Sequence, residues 1–139
     1  MAANTNPIFP KQPNVSWSGS MTTANTDTSM ATGTSYLVFT ADATNGSKLE
    51  QINLYHLGTN SSATVVRFFL NNGSTTGTAA NNALVYEVTM ASNTVSQTAA
   101  STAQSWNANL YLKPGYKLYA TLGTAASAGI MATAQGGDY

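Results

Sequence analysis

The chain has 139 residues, five basic and five acidic side chains, and only 7 % charged residues, so it is the length of one domain and carries no net charge. The charges stand singly; with no Lys/Arg stripe to neutralise phosphates or anionic headgroups, neither nucleic acid nor a membrane surface is an expected partner. The absence of cysteine removes disulfides, thiolate metal ligands and thiol nucleophiles, while 42 % hydrophobic residues gathered in short runs set the chain apart from disordered sequences.

In chain order, residues 1–18 read as an extended N-terminal arm and residues 19–139 as the folded domain. Pro7, Pro10 and Pro13 recur every third residue, which favours a polyproline-like path. Ile8, Phe9, Val15 and Trp17 give the arm apolar handles, so it is expected to pack either on its own sheet or on a neighbouring subunit. The start has neither the basic n-region nor the apolar h-region of a secretory signal, and synthesis and folding in a cytoplasm are expected.

Met21 to Gly33 is small and polar, enough for a short edge strand or a loop. Tyr36 to Ala41 (YLVFTA) predicts a strand, closed by an Asn-Gly turn over Asp42 to Ser47. The stretch Ile52 to Leu70 predicts a β-hairpin and the centre of the core. Ile52, Leu54 and His56 share one side of its first arm, and Val66, Phe68 and Leu70 share one side of its second. Val65, Val66, Phe68 and Phe69 suit a strand buried on both faces.

Ala83 to Met90 alternates with Leu84, Tyr86, Val88 and Met90 on one face. Trp106, Ala108, Leu110 and Leu112 form a further inward set, stopped by Lys113, Pro114 and Gly115 as a type II turn. Tyr116, Leu118, Ala120 and Leu122 alternate next, and a last strand is expected over Gly129 to Gln135. No segment keeps a helical apolar period. Seven or eight strands at spacings near ten residues predict an all-β fold, a single β-sandwich and most simply a jelly roll. Leu57-Gly58-Thr59 with Ser62-Ala63 is echoed by Leu122-Gly123-Thr124 with Ser127-Ala128, which suggests two similar connections at one rim.

The inventory for catalysis is thin. His56 is the only histidine and is in phase with core residues, so a packed or interface role is expected. The Asp42 loop has a glycine four residues on but lacks the further acidic ligands of a calcium loop, so a turn is expected there. Glu50 and Glu87 have no sequence-adjacent carboxylate partner. No catalytic residue, metal site or cofactor is predicted. Trp106 and Tyr86 fall in phase with core residues and read as packing. Tyr55, Tyr111 and Tyr119 fall out of phase, are expected to be exposed, and suit a protein interface, where tyrosine is enriched.

The opening MAANTNPIFP, the central LVFTADATNGSKLEQI, the following LGTNSSATVVRFFLNNGSTTGTAANNALVYEVT and the ending LKPGYKLYATLGTAASAGIMATAQGGDY together resemble small virion structural proteins of tailed bacteriophages. Within that group the pattern is most like a head decoration, or cement, protein. The resemblance implies a jelly-roll-like homotrimer made in the bacterial host's cytoplasm and seated on the outer surface of the capsid, with the major capsid protein as partner. The arm, centred on Ile8, Phe9, Pro10 and Trp17, would then help to anchor it, with Tyr55, Tyr111, Tyr119 and Tyr139 as further capsid or subunit contacts. The alternative is a receptor- or glycan-binding module of a tail or fibre, using exposed aromatics and the Asn/Thr-rich loops.

Overall fold

Strand side chains alternate faces, and here the alternation separates core from surface residue by residue. Leu49, Ile52 and Leu54, then Leu118, Ala120 and Leu122, then Ile130, Ala132 and Ala134, are all buried in one cluster. The computed structural model describes residues 9–139. Its strands are β1 (Gln12–Trp17), β2 (Tyr36–Thr40), β3 (Ser47–His56), β4 (Thr64–Asn71), β5 (Asn82–Met90), β6 (Ala103–Leu112), β7 (Lys117–Leu122) and β8 (Ile130–Asp138). They form two four-stranded antiparallel sheets, β1-β8-β3-β6 and β2-β7-β4-β5, packed through that cluster as a β-sandwich.

Of consecutive strands, only β4 and β5 are hydrogen-bonded neighbours; every other connection crosses from one sheet to the other. The hairpin expected over Ile52 to Leu70 is therefore corrected: β3 and β4 lie in opposite sheets. Each strand has one apolar face, and the two faces meet across the core instead of lying side by side. Residues 57–63 have ample reach for this, since an extended residue spans about 3.3 Å and packed sheets stand about 10 Å apart. The Lys113 to Tyr116 turn also crosses sheets, with Tyr116 N–H donating to the Lys113 carbonyl at 3.1 Å and Gly115 at φ +75° as a type II turn requires.

A second correction concerns the arm. Residues 12–17, read as an extended arm outside the domain, form the edge strand β1 and so pack on the protein's own sheet, paired with β8 from Gln12↔Asp138 to Trp17↔Thr133. An edge strand tolerates Pro13 because one side of its backbone has no neighbour. Asn14 and Ser16 point inward, and their side chains donate to the carbonyls of Thr40 and Val38, tying β1 to the second sheet as well. The sandwich therefore begins before residue 19.

The third correction is at the end of the chain, where β8 continues through Asp138 between β1 and β3. A Cβ on Gly136 would lie 2.2 Å from the Lys48 carbonyl oxygen, and one on Gly137 would lie 2.4 Å from Pro10 Cβ. The glycines thus mark close approach within a central strand, which runs three residues past the expected end at Gln135. Asp138 fixes the end of the strand by accepting from the side chains of Asn14 and Ser47.

Met21 to Thr34 contributes only isolated bridges, Met21↔Ile130 and Ala24↔Leu122. Asp27 organises the loop. Its carboxylate accepts from the hydroxyls and backbone N–H groups of Ser29 and Thr32, and these bonds, Ser29's first, hold it well below the usual carboxylate range. Buried Asn25 donates to the carbonyls of Thr32 and Thr34. Asn82 Nδ2 donates to the Ser29 carbonyl, bringing the loop against the second sheet. Phe69 pairs in register with Tyr119 and Leu84, on the side facing away from the core. Phe69 is nevertheless 1 % exposed and the loop's Met30 is 2 % exposed, and neither belongs to the central cluster.

Candidate functional site

The outer face of the first sheet is assembled by register. Across β1, β8, β3 and β6 one row runs Val15, Gln135, Gln51, Asn107, and the next runs Trp17, Thr133, Asn53, Ser105. Tyr55 and Met131 pair in the row beyond, and Lys48 and Tyr111 pair toward the other end. The four strands carry three acidic or basic residues, Lys48, Glu50 and Asp138. Asp138 is bound to Ser47 and Asn14, while Lys48 and Glu50 pair with each other at 3.3 Å. What remains is a face of amides, hydroxyls and exposed apolar side chains with no unpaired charge.

This face collects only some of the expected contact residues. Trp17 (63 % exposed) and Tyr55 (46 %) share it, two strands apart, on the order of 10 Å at strand spacing. Tyr111 (74 %) also faces outward, roughly 20 Å further along from Tyr55, beneath the Lys48 ammonium at 5.9 Å from its ring centroid. Phe9 is exposed, and Pro10 is half-buried where it leans on Gly137 of the same sheet. Ile8 lies outside the described residues.

Two expected members are elsewhere. Tyr119 is half-buried on the outer side of the second sheet, between Leu37 and Phe69, so the sandwich separates it from Trp17 and Tyr55. Its expected full exposure is corrected, because β2 and β4 flank it on both sides. Tyr139 is half-buried beside Asp42, Asn45, Lys11 and Gln12, and its N–H donates to the Gly46 carbonyl at 3.2 Å. Val15, which reads from the sequence only as an apolar handle, is a full member of the face. Its signal is the period-two series Pro13, Val15, Trp17, visible once β1 is recognised as a strand.

Several titratable groups are engaged internally. Arg67 Nε donates to Glu87 at 2.6 Å on the second sheet. Asp42 accepts from the backbone N–H groups of Asn45 and Thr44, which hold its carboxyl below the ordinary value. His56 Nδ1 lies 3.1 Å from Asn60 Nδ2 at one rim of the sandwich. Among the described residues no three His, Cys, Asp or Glu side chains gather in a metal-binding arrangement. Chemically, the outer face of the first sheet can bury apolar and aromatic area and exchange amide hydrogen bonds with a flat partner.

No family model, no curated protein and no solved structure matches the chain.

Proposed function

We propose that the protein is a non-enzymatic structural component of a tailed-phage virion. In this reading it is a head decoration protein that binds the major capsid protein on the outer capsid surface as a homotrimer and stabilises the head. The observation that carries the reading is the outer face of the first sheet, where Trp17, Val15 and Tyr55 stand exposed among uncharged amides and hydroxyls. Apolar anchors amid hydrogen-bonding groups, with charge depleted, are the composition of an interface core. An attachment of this kind does not depend on ionic attraction, so salt screening leaves it intact outside the cell.

The strand order β1-β8-β3-β6 over β2-β7-β4-β5, with one in-sheet hairpin, supports a jelly roll, an architecture found in viral capsid and lectin domains. Because the same architecture serves unrelated functions, the decoration role rests on the face and on the resemblance of the sequence to phage virion proteins. Closed rotational symmetry would bring several copies of the same face to a repeating capsid lattice. Deleting residues 2–16 is an unsuitable test because it removes most of β1. The discriminating experiment is Trp17→Ala, assayed for occupancy on purified heads: loss of occupancy with an unchanged melting temperature supports the reading, and unchanged occupancy overturns the role of this face.

A second reading, a glycan-binding module of a tail or fibre, is favoured by the shared exposure of Trp17 and Tyr55, whose rings could stack on sugar faces. Saturable binding on a glycan array, lost in Trp17→Ala, would establish it in place of decoration.

A further inference from the structure

Asn60, in the link between β3 and β4, is 1 % exposed and has its amide orientation fixed from both ends. Its Oδ1 accepts from Ala128 N–H at 2.9 Å, and its Nδ2 donates to the Gly129 carbonyl at 3.0 Å. The atom facing His56 Nδ1 at 3.1 Å is therefore an N–H donor, and Nδ1 must be the unprotonated acceptor. The imidazole proton then sits on Nε2, which is buried without a hydrogen-bond partner.

The same residue ties three links together. Its backbone pairs in both directions with Asn93, at 2.9 and 2.8 Å. Asn93 Nδ2 donates to the Gly58 carbonyl, and Val95 N–H donates to Thr59 Oγ1. Links 57–63, 91–102 and 123–129 thus converge on one amide and one imidazole.

We propose that His56 and Asn60 form a pH-sensitive latch: a proton on His56 Nδ1 sets N–H against N–H, expels the Asn60 amide from Ala128 and Gly129, and so releases the 123–129 link and, through the Asn60 backbone, loosens its pairing with Asn93. Among the described residues the charges bordering this rim are Arg67 and Glu87, which pair with each other at 2.6 Å, the guanidinium lying against Gly123. Segments 18–26, 57–66, 88–103 and 122–133, which meet at or border this rim, contain no Asp, Glu, Lys, Arg or second His. On its own strand the nearest charged residue is Glu50, which is paired with Lys48. Burial pushes His56 below its ordinary value, with the Ala91 carbonyl acting in the opposite sense. The latch is consequently closed at neutral pH and opens on acidification, from near the ordinary histidine value downward.

The test is an NMR titration of the full chain from about pH 8 to about pH 5, alongside His56→Gln, whose side-chain oxygen accepts from Asn60 at every pH. Ring nitrogen shifts should identify the Nε2–H tautomer at neutral pH. As His56 protonates, hydrogen exchange at the amides of Asn93 and Ala128 should accelerate by about tenfold beyond the intrinsic pH effect, and His56→Gln should lack that acceleration. An Nδ1–H tautomer, or protonation of His56 with unchanged relative protection, would overturn the latch. The wild-type titration decides the matter even if His56→Gln does not fold.

Discussion

Trp106 and Tyr86 stack face to face, with ring centroids 4.5 Å apart and planes 7° from parallel. The two residues sit on β6 and β5, edge strands of opposite sheets, so the stack closes one open side of the sandwich. Phe68 backs it at 5.5 Å from Trp106 and 6.3 Å from Tyr86. Both rings are thereby committed to packing, which leaves Trp17 as the tryptophan available to a partner.

Removing that stack should be costly. Trp106→Ala is expected to destabilise the fold by about 3 kcal/mol, combining lost burial with the aromatic pair. Trp106→Phe keeps a ring against Tyr86 and should cost less than half as much. Urea unfolding of the three proteins measures both values, and equal losses in the two variants would contradict a specific stacking role.

The close approach of β8 to β3 makes a sharp prediction at Gly136. An added methyl would meet the Lys48 carbonyl oxygen at 2.2 Å and Leu49 Cα at 3.1 Å, both backbone atoms that cannot swing away. Gly136→Ala should cost about 2–3 kcal/mol by overpacking. At Gly19 a Cβ would meet nothing within 4 Å, so Gly19→Ala should cost about 1 kcal/mol, from its positive φ alone. Comparing the two variants by thermal unfolding separates steric from conformational cost.

The Asp27 loop adds an acid limb to the stability profile. The folded carboxyl titrates below its ordinary value of 3.8, so the unfolded chain binds the proton first. Its contribution is fully present above about pH 5 and is lost progressively as pH falls through 3.8 and below. Asp27→Asn should lower the melting temperature at neutral pH and flatten this limb, while leaving the His56-linked change at higher pH in place. Melting curves across acidic pH, with and without the substitution, check the sign.

The proposed interface should respond to one face and not the other. Trp17→Ala should alter folding stability by no more than about 0.5 kcal/mol, as expected for an exposed side chain. It should also reduce head binding at least about tenfold, as loss of an aromatic anchor does. Leu84→Ser, exposed on the second sheet, should change neither. Sedimentation of heads with added protein, quantified by gel, reads both variants.

Much of the sandwich is legible in the sequence because alternation is a local property. Leu118, Ala120 and Leu122, or Trp106, Ala108 and Leu110, declare their buried side without knowledge of any partner. Which strand lies beside which is not local, and the apolar faces of β3 and β4 fit a hairpin pattern as well as they fit opposite sheets. Pro13 obscured β1, since a proline argues against a strand except at an edge. The continuation of β8 through Gly136 and Gly137 was not legible, because glycine weakens a strand pattern and backbone approach leaves no mark on composition.

The candidate face was legible in part. Tyr55 and Tyr111 follow from phase and Trp17 from its place among the apolar handles of the arm, but their positions on one sheet depend on the pairing of β1 with β8 and of β8 with β3. Phe69 was legible as part of a strand buried on both faces, and it is 1 % exposed on the side opposite Phe68. Asn60 gave no signal, since an asparagine in a Thr/Ser-rich link looks like any turn residue until its amide partners are known.

The central claim is best tested by immunogold labelling of this protein on intact particles from a producing culture. The account predicts regular labelling across the head surface. Labelling confined to the tail tips, or none on the particles, would contradict it.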